Sequence, residues 1–433
     1  MLKKICFVFL ILFVLLFFLT CGEPIEEANI RVPETWETGT TPAGFTGISN
    51  PSVFSINPPI AGNYPQGLYQ YYYRTGISDY EREIFTQTLE WFPPIHKTFN
   101  RNTRYVARLT LDPVNQTTPT VINRTLKGTL QENVTGLPTR NVEKISAEIT
   151  GESLLIYIVF NPTASRMAAP RIIFEDNFSG TRLDTTKWNT SPEWDRQERS
   201  SWRPDMVEVR GGYLRIKFQR DTVLGNAKAQ ASSRYSQADN ANSWIRAGAV
   251  RTIGTDYRQR MFEHSYGWYE ARIRFPRQQG MWGAFWLMPV TQGSTGRGEI
   301  SSEIDILESI GSASNRFNHA IHWNFHRNGI TRSIDRVYFT NNPAIPNIYD
   351  GQFHTFAFDW SPGEYVFYIN GIKTWHVIPG EPQFNNIAIA QNPTYIKLSV
   401  EAADWDQLLP PGFTSGEMLV DYVRVYNQPR ILP

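Results

Sequence analysis

The sequence predicts an all-β protein in which a large antiparallel β-sandwich follows a smaller one. In the second half of the chain, short runs alternate apolar and polar residues, as in Tyr213–Arg220, and a strand of this kind buries only one face. Two such runs within residues 365–375 flank Asn370 and Gly371, a dipeptide typical of a type I′ hairpin. The sequence shows no capped amphipathic helix in this series, and the pattern therefore favours one large antiparallel sandwich.

The N-terminus is typical of an exported protein. Lys3 and Lys4 precede an apolar run over residues 5–19, which fits the core of a signal peptide and is short for a membrane span. We therefore predict a signal peptide over residues 1–20. Cleavage before Cys21 leaves a single cysteine at the first mature residue, as in bacterial lipoproteins. We expect lipidation of Cys21 and a location at the cell envelope or cell surface, with plain secretion as the alternative.

Composition divides the mature chain into four segments. Residues 21–44 are rich in Glu, Pro, Thr and Gly without an apolar period, as expected of a solvated tether. Residues 45–160 contain strand-like runs separated by turn residues and predict a small β-sandwich. Residues 161–170 have the composition of a linker, and residues 171–433 form the large sandwich.

The charge balance excludes nucleic acid as the expected partner. Lys and Arg number 42 and Asp and Glu number 41, so the net charge of +1 provides no basic surface for a polyanion. The aromatic content of 14%, with 13 Trp, can fill a sandwich core or line a groove for sugar rings. We expect a polysaccharide partner, contact with the membrane through the lipid anchor only, and a monomer.

Three carboxylates lie close together in one predicted strand. Alternation places Glu303 and Asp305 on one face and Glu308 on the other. One extra residue within 306–307, a β-bulge, would return Glu308 to the face of Glu303. Such a trio fits glycosidic cleavage, in which one carboxylic acid protonates the leaving oxygen and a carboxylate acts at the anomeric carbon. Spacing alone leaves two alternatives open. The segment can be an edge strand whose charges discourage aggregation, or it can be a calcium site.

Residues 303–308 resemble the Glu-x-Asp-x-x-Glu signature of glycoside hydrolase family 16, the bulge-containing laminarinase and lichenase group. Other segments on both sides of this signature also resemble landmarks of that family, and they occur in the family's order. They are residues 174–178, 183–188, 266–272, 281–289, 354–360 and 420–426. The resemblance implies a concanavalin-like β-jelly roll over residues 171–433. It also implies retaining hydrolysis with Glu303 as nucleophile, Glu308 as acid/base and Asp305 as their assistant.

The same resemblance implies sugar-binding residues. Trp286 would stack on a sugar near the cleaved bond and His322 would point into the cleft, with core packing and a structural histidine as the respective alternatives. Further candidates for stacking or hydrogen bonding, some of them expected in the core, are Trp202, Arg203, Trp244, Trp282, Trp323 and Trp405. Residues 89–107 weakly resemble the immunoglobulin-like modules of bacterial surface proteins.

We expect an endo-acting hydrolase of β-1,3- or mixed β-1,3/1,4-glucan. The alternatives are the same chemistry on a galactan such as agar or carrageenan, and a non-catalytic glycan-binding adhesin. A sulfated galactan favours a basic rim, and Glu401 and Asp404 argue against one. No cofactor is required. Structural calcium in some family members points to Asp421 as a ligand, although Asn177 stands at the acidic position of the opening motif.

Overall fold

The computed structural model describes residues 25–33, 56, 58–65, 85–113, 140–150, 153–190, 194–195, 199–231, 244–255, 259–289, 302–310, 316–323, 332–339, 341–402 and 409–430. The expected signal peptide, the expected lipidation site Cys21, and Asp404 and Trp405 lie outside these residues. In the part of the chain that is described, no helix is long and apolar enough to cross a membrane.

Strands dominate the described residues, and this confirms the all-β prediction. In chain order they are β1 (Phe85–Phe92), β2 (Val106–Pro113), β3 (Val142–Thr150), β4 (Ser153–Phe160), β5 (Ile172–Asp176), β6 (Asn189–Thr190), β7 (Trp194–Asp195), β8 (Ser200–Trp202), β9 (Val207–Arg210), β10 (Tyr213–Arg220), β11 (Ile245–Ala247), β12 (Ala249–Arg251), β13 (Gly267–Arg274), β14 (Met281–Pro289), β15 (Glu303–Ile310), β16 (Arg316–Trp323), β17 (Arg332–Phe339), β18 (His354–Trp360), β19 (Tyr365–Ile369), β20 (Ile372–Val377), β21 (Thr394–Ala402) and β22 (Ser415–Tyr426).

Strands β5 to β22 form two sheets that share one core. The larger sheet has the order β20-β19-β18-β13-β22-β10-β11-β8-β7, with β5 beside β22 and β9 beside β10, and the smaller has the order β17-β16-β15-β14-β21-β12-β6. Buried side chains of both sheets form one cluster, which includes Trp188, Trp268, Trp323 and Trp360. This is the predicted jelly-roll sandwich, and it leaves the outer face of the smaller sheet available for a site.

Two local features test the sequence patterns. Asn370 and Gly371 have φ values of 49° and 80°, so the turn between β19 and β20 has the two positive φ angles of the predicted type I′ hairpin. The expectation that no helix interrupts the strands is wrong, because α1 spans Thr222–Ala231. Asp221 starts this helix by accepting a hydrogen bond from the Leu224 N–H at 2.9 Å, a cap that the weak apolar period of the segment hides.

The N-terminal region contains one described sheet of order β1-β2-β4-β3. Residues 25–33 are not a free tether, because Ile30 and Val32 pack on one face of this sheet against Val106 and Tyr157. The other face has its own buried cluster around Trp91. The immunoglobulin-like sandwich stays a prediction, since residues 66–84 and 114–139 lie outside the described part of the chain.

The N-terminal region is bound to the large sandwich by polar contacts. The Asp359 carboxylate, only 1% exposed, accepts a hydrogen bond from the Tyr64 hydroxyl at 2.6 Å and pairs with the Lys97 ammonium at 2.6 Å. Residues 161–170, expected to be a linker, are also held, since the Ala168 carbonyl accepts a hydrogen bond from the Gln428 amide at 2.8 Å. A buried ion pair that loses one partner leaves an uncompensated charge, so these contacts favour a single docked arrangement.

Candidate active site

Strand β15 contains the predicted bulge. On β16, Ala320 pairs with Asp305 and Asn318 pairs with Glu308, so one residue of β15 is extra in this interval. The register with β14 also passes over Ile306. The insertion reverses the alternation after Ile306 and brings Glu308 to the face that carries Asp305.

The three carboxylates Glu303, Asp305 and Glu308 line one cavity of about 400 Å³ on the outer face of the smaller sheet. The other lining residues come from five neighbouring strands and are Trp282, Ala284, Trp286, Ile310, Arg316, Asn318, His322, Asp335, Val337, Ser399 and Glu401. The cavity therefore combines carboxylates with aromatic surface, as expected of a site that binds and cleaves a sugar chain.

Both oxygens of Glu308 are held by neighbouring side chains. The indole N–H of Trp282 donates to Oε1 at 2.9 Å, and the amide of Asn318 donates to Oε2 at 2.5 Å. Asn318 is the ladder partner of Glu308 on β16, so the strand pairing itself positions this donor. The carboxyl group therefore has one orientation within the cavity.

The other two carboxylates lie beside His322. Its Nε2 atom is 3.1 Å from Oδ2 of Asp305, and one ligand-type atom each from Glu303, Asp305 and His322 lies within 4.8 Å of the others. Glu303 is the ladder partner of His322 on β16. The nucleophile and acid/base candidates thus stand on either side of Asp305 along one strand.

The cavity raises the pKa values of all three carboxyl groups. Burial raises the pKa of Glu303, Asp305 and Glu308 to about 8 each. The charge of Asp305 further raises the pKa of Glu303 and Glu308, whereas the charge of His322 lowers it. Because like charges at this spacing repel, the three groups share protons near neutral pH. A carboxyl group that keeps its proton at neutral pH can act as a general acid.

A lysine supplies positive charge beside the carboxylates. Lys397 is 6% exposed, and its Nζ atom lies 3.8 Å from the ring centroid of Trp286 and 4.5 Å from that of Trp202. The two indole faces hold the ammonium by cation–π attraction. Its charge lowers the pKa of Glu303 and Asp305, against the effect of burial. The lysine therefore favours the ionised form that a nucleophile needs.

Three of the predicted sugar-binding residues line the cavity, namely Trp282, Trp286 and His322. The Trp286 side chain is only 7% exposed, and its indole N–H donates to the Ser399 hydroxyl at 3.1 Å. One face of this ring contacts Lys397, so Trp286 joins the cavity wall to the charged residue behind it.

The other predicted binding residues that the structure describes do not line the cavity. Trp244 and Trp323 are 0% and 2% exposed, so their assignment to the cleft is wrong and they pack in the interior. Trp202 is also buried, and it contacts Lys397 rather than the open cavity. The Arg203 guanidinium donates to the carbonyl of Trp202 at 3.3 Å. Trp405 lies outside the described residues.

The donor set proposed for calcium does not fit a cation. The carboxylate of Asp421 forms an ion pair with the Arg272 guanidinium, which a calcium ion would have to displace. Asn177 accepts a hydrogen bond from the Ser179 N–H at 3.3 Å, within its own turn. We assign no metal to the cavity carboxylates either, because the Lys397 ammonium already provides a positive charge beside them.

Several polar residues of the site were not predicted as site residues: Arg316, Asn318, Asp335, Lys397, Ser399 and Glu401, of which only Glu401 was expected near the cleft, at its rim. A signal for three of them was present in β21, where Lys397, Ser399 and Glu401 alternate with apolar residues. All nine residues of this strand are buried, and polar residues on one face of a buried strand point to a lined cavity rather than to solvent.

A pair of glutamates in a cavity on one face of a β-sandwich is the arrangement of enzymes that hydrolyse glycosidic bonds. Residues 173–428 match the family model described as the glycoside hydrolase family 16 domain of β-porphyranases A–D. The chain therefore belongs to glycoside hydrolase family 16.

Three curated relatives are similar to the chain over 280 to 290 residues. The chain is 24% identical over 290 residues to glucan endo-1,3-beta-glucosidase A1 of Niallia circulans, covering 62% of this chain and 39% of that protein. It is 25% identical over 280 residues to the keratan-sulfate endo-1,4-beta-galactosidase of Sphingobacterium multivorum, covering 63% and 58%. Beta-porphyranase C of Zobellia galactanivorans is 26% identical over 290 residues, covering 58% and 76%. The chain thus spans less than two thirds of the first two relatives.

Proposed function

We propose that the protein is a retaining endo-glycosidase in which Glu303 is the nucleophile and Glu308 is the acid/base. The observation that carries this proposal is the bulge at Ile306, which brings both glutamates into one cavity. The hydrogen bonds from Trp282 and Asn318 support the role of Glu308, since they orient its carboxyl group. An adhesin has no need of a proton donor beside a nucleophile.

The reaction has two steps. A carboxylate oxygen of Glu303 bonds to the anomeric carbon while the glycosidic bond breaks, and Glu308 gives its proton to the departing oxygen. Glu308 then takes a proton from water, the water oxygen bonds to the anomeric carbon, and the carboxylate of Glu303 leaves. Asp305 lies between the two and supports the pKa of Glu308 through its charge.

For the substrate we propose a galactan of the porphyran or agar class ahead of the β-glucan expected from the sequence. The support is the match of residues 173–428 to a model built on β-porphyranases. Glu401 is 2% exposed and lies deep in the cavity, so it no longer argues against a basic rim. Arg316 contributes a guanidinium to the cavity lining, and guanidinium groups bind sulfate esters well.

A β-1,3-glucan is the second candidate substrate. It is favoured by the identity of 24% over 290 residues to the glucanase of Niallia circulans. The cavity offers Trp282 and Trp286, and an indole face stacks on glucose and galactose rings alike. The choice between the two sugars therefore depends on polar contacts at the sugar hydroxyls.

The experiment measures reducing ends released from porphyran, agarose, laminarin and lichenan. Wild-type enzyme is expected to cleave porphyran or agarose best and to yield products that first appear as the β-anomer by NMR. Glu303→Gln and Glu308→Gln are expected to lower kcat on the preferred polymer by at least about 10³-fold. Glu381→Gln, on a turn outside the cavity, is the matched control. Full activity in both cavity variants, or products that first appear as the α-anomer, would refute the proposal.

A further inference from the structure

The bulge at Ile306 interrupts the pairing of β15 with both of its neighbouring strands. Ile306 is passed over in the registers of β15 with both β14 and β16, and its side chain is fully buried. A buried backbone carbonyl without a partner is costly, so it must accept a hydrogen bond from elsewhere. His319 provides it, with Nδ1 at 2.6 Å from the Ile306 oxygen. Because a carbonyl only accepts, Nδ1 is the atom that carries the hydrogen.

His319 also contacts the opposite sheet. Its Nε2 atom lies 2.8 Å from the Thr374 hydroxyl on β20. The register of β19 with β20 passes over Thr374, so this residue is itself an irregularity of its strand. Burial lowers the pKa of His319 to about 4, so the ring is neutral at working pH and Nε2 is an acceptor that faces the hydroxyl, whose hydrogen also has the Phe367 carbonyl within 3.1 Å. One imidazole thus joins the irregular residue of one sheet to that of the other.

The position is unusual for a histidine. Alternate residues of β16 point into the interior, where His319 is 1% exposed between Phe317 and Ile321. The imidazole lies 4.8 Å from the Phe367 ring and stacks at 6.4 Å on Trp375. An apolar side chain would fill this place without the cost of burying two nitrogen atoms. The polar group therefore has a task that packing does not explain.

We propose that His319 is a positioning residue that fixes the bulge at Ile306 and thereby aims the acid/base Glu308 at the leaving oxygen. The inference rests on the proposed role of Glu308. Glu308 lies two residues after Ile306, so a change in the backbone at the bulge displaces the Glu308 side chain. Asn318, the residue beside His319 on β16, donates to the Glu308 carboxylate from the outer face of the same strand. Adjacent residues of β16 thus hold the side chain of the acid/base and the backbone behind it.

The test separates positioning from packing by the leaving group. In His319→Leu the Ile306 carbonyl loses its donor, and a displacement of Glu308 by about 1 Å is expected to lower kcat/KM on the polymer about 100-fold. On a 2,4-dinitrophenyl glycoside of the preferred oligosaccharide, departure needs no proton, so kcat/KM is expected to stay within about threefold of wild type. Phe317→Leu, the next inward-facing residue of β16, is the control for packing. It is expected to lower the melting temperature and to change both substrates alike.

Two further variants keep the inference testable if His319→Leu does not fold. The amide nitrogen of His319→Asn can replace Nδ1, so this variant is expected to recover at least about tenfold of the lost kcat/KM on the polymer. Thr374→Val removes the second contact of His319, together with the hydrogen bond from the hydroxyl to the Phe367 carbonyl, but leaves the contact at Ile306, and it is expected to stay within about threefold of wild type. Equal losses on both substrates, or equal losses in the Leu and Asn variants, overturn the inference. A wild-type enzyme that cleaves none of the four polymers overturns the proposed function instead.

Discussion

Replacing the buried acid/base by its neutral isostere is expected to stabilise the enzyme increasingly as the pH rises from about 4.5 to about 8. Burial raises the pKa of Glu308 from 4.5 to about 8, so the folded protein holds a proton there that the unfolded chain loses above pH 4.5. The stability that this proton contributes is fully present below pH 4.5 and is lost as the pH rises through 8. Glu308→Gln has no charge to bury, so its stability does not fall for this reason.

The structure bounds the size of the effect. The interval between 4.5 and about 8 corresponds to about 5 kcal/mol at ~1.4 kcal/mol per pH unit. Because the effective dielectric around a buried charge is higher than that of dry protein, we expect a smaller gain at pH 9, about 2–4 kcal/mol. In a domain of this size each kcal/mol changes the melting temperature by ~2–4 °C. Glutamine keeps the acceptor for the Trp282 N–H, and its new amide nitrogen can donate to the Asn318 oxygen once the Asn318 amide turns over.

The assay is calorimetric melting of wild-type and variant proteins at pH 5, 7 and 9. Glu308→Gln is expected to melt within about 2 °C of wild type at pH 5 and about 5–15 °C above it at pH 9. Asp205→Asn, which changes an exposed carboxylate, serves as the control and should follow wild type at every pH. A difference between Glu308→Gln and wild type that is the same at all three pH values would show that the carboxyl group is not desolvated.

Three other results are expected. Glu303→Ala should lose at least about 10³-fold in kcat and regain part of it in azide, with the α-glycosyl azide detected by mass spectrometry and NMR, whereas failure to recover with any anion contradicts its role as nucleophile. Lys397→Met should move the acidic limb of the pH profile of kcat/KM up by about one pH unit, because the lysine charge lowers the pKa of Glu303. Lys397→Arg should restore the wild-type limb. Profiles of Lys397→Met and wild type that superimpose would exclude this electrostatic role. Cys21→Ser should move the exported protein from the membrane fraction to the soluble fraction in a bacterial host, and an unchanged distribution in blots of both fractions contradicts lipidation.

The sequence was sufficient to predict features that depend on neighbours along the chain. The type I′ turn needs only Asn370 and Gly371, and the bulge follows from the conflict between strand alternation and the shared chemistry of Glu303 and Glu308. These are local constraints, in which the spacing of residues fixes which face a side chain occupies.

Features that depend on contacts with the second sheet could not be predicted from the sequence. A tryptophan in a strand gives the same pattern on either face, which is why Trp244 and Trp323 were assigned to the cleft although they are interior residues. His319 was missed for the converse reason, because its partners lie on β15 and β20. The short segment over 25–33 has too few apolar residues to reveal that it packs on another sheet.

The docking of the N-terminal region through the buried Asp359 carboxylate has a mechanical consequence. Residues 25–33 lie on that region, and Glu26 forms a bridge with Thr103, so extended chain of at most about 18 Å separates Cys21 from the first held residue. An acyl chain on Cys21 would therefore hold the enzyme close to the bilayer and restrict its movement relative to the membrane. The enzyme could then cleave only the part of a polysaccharide chain that comes close to the membrane.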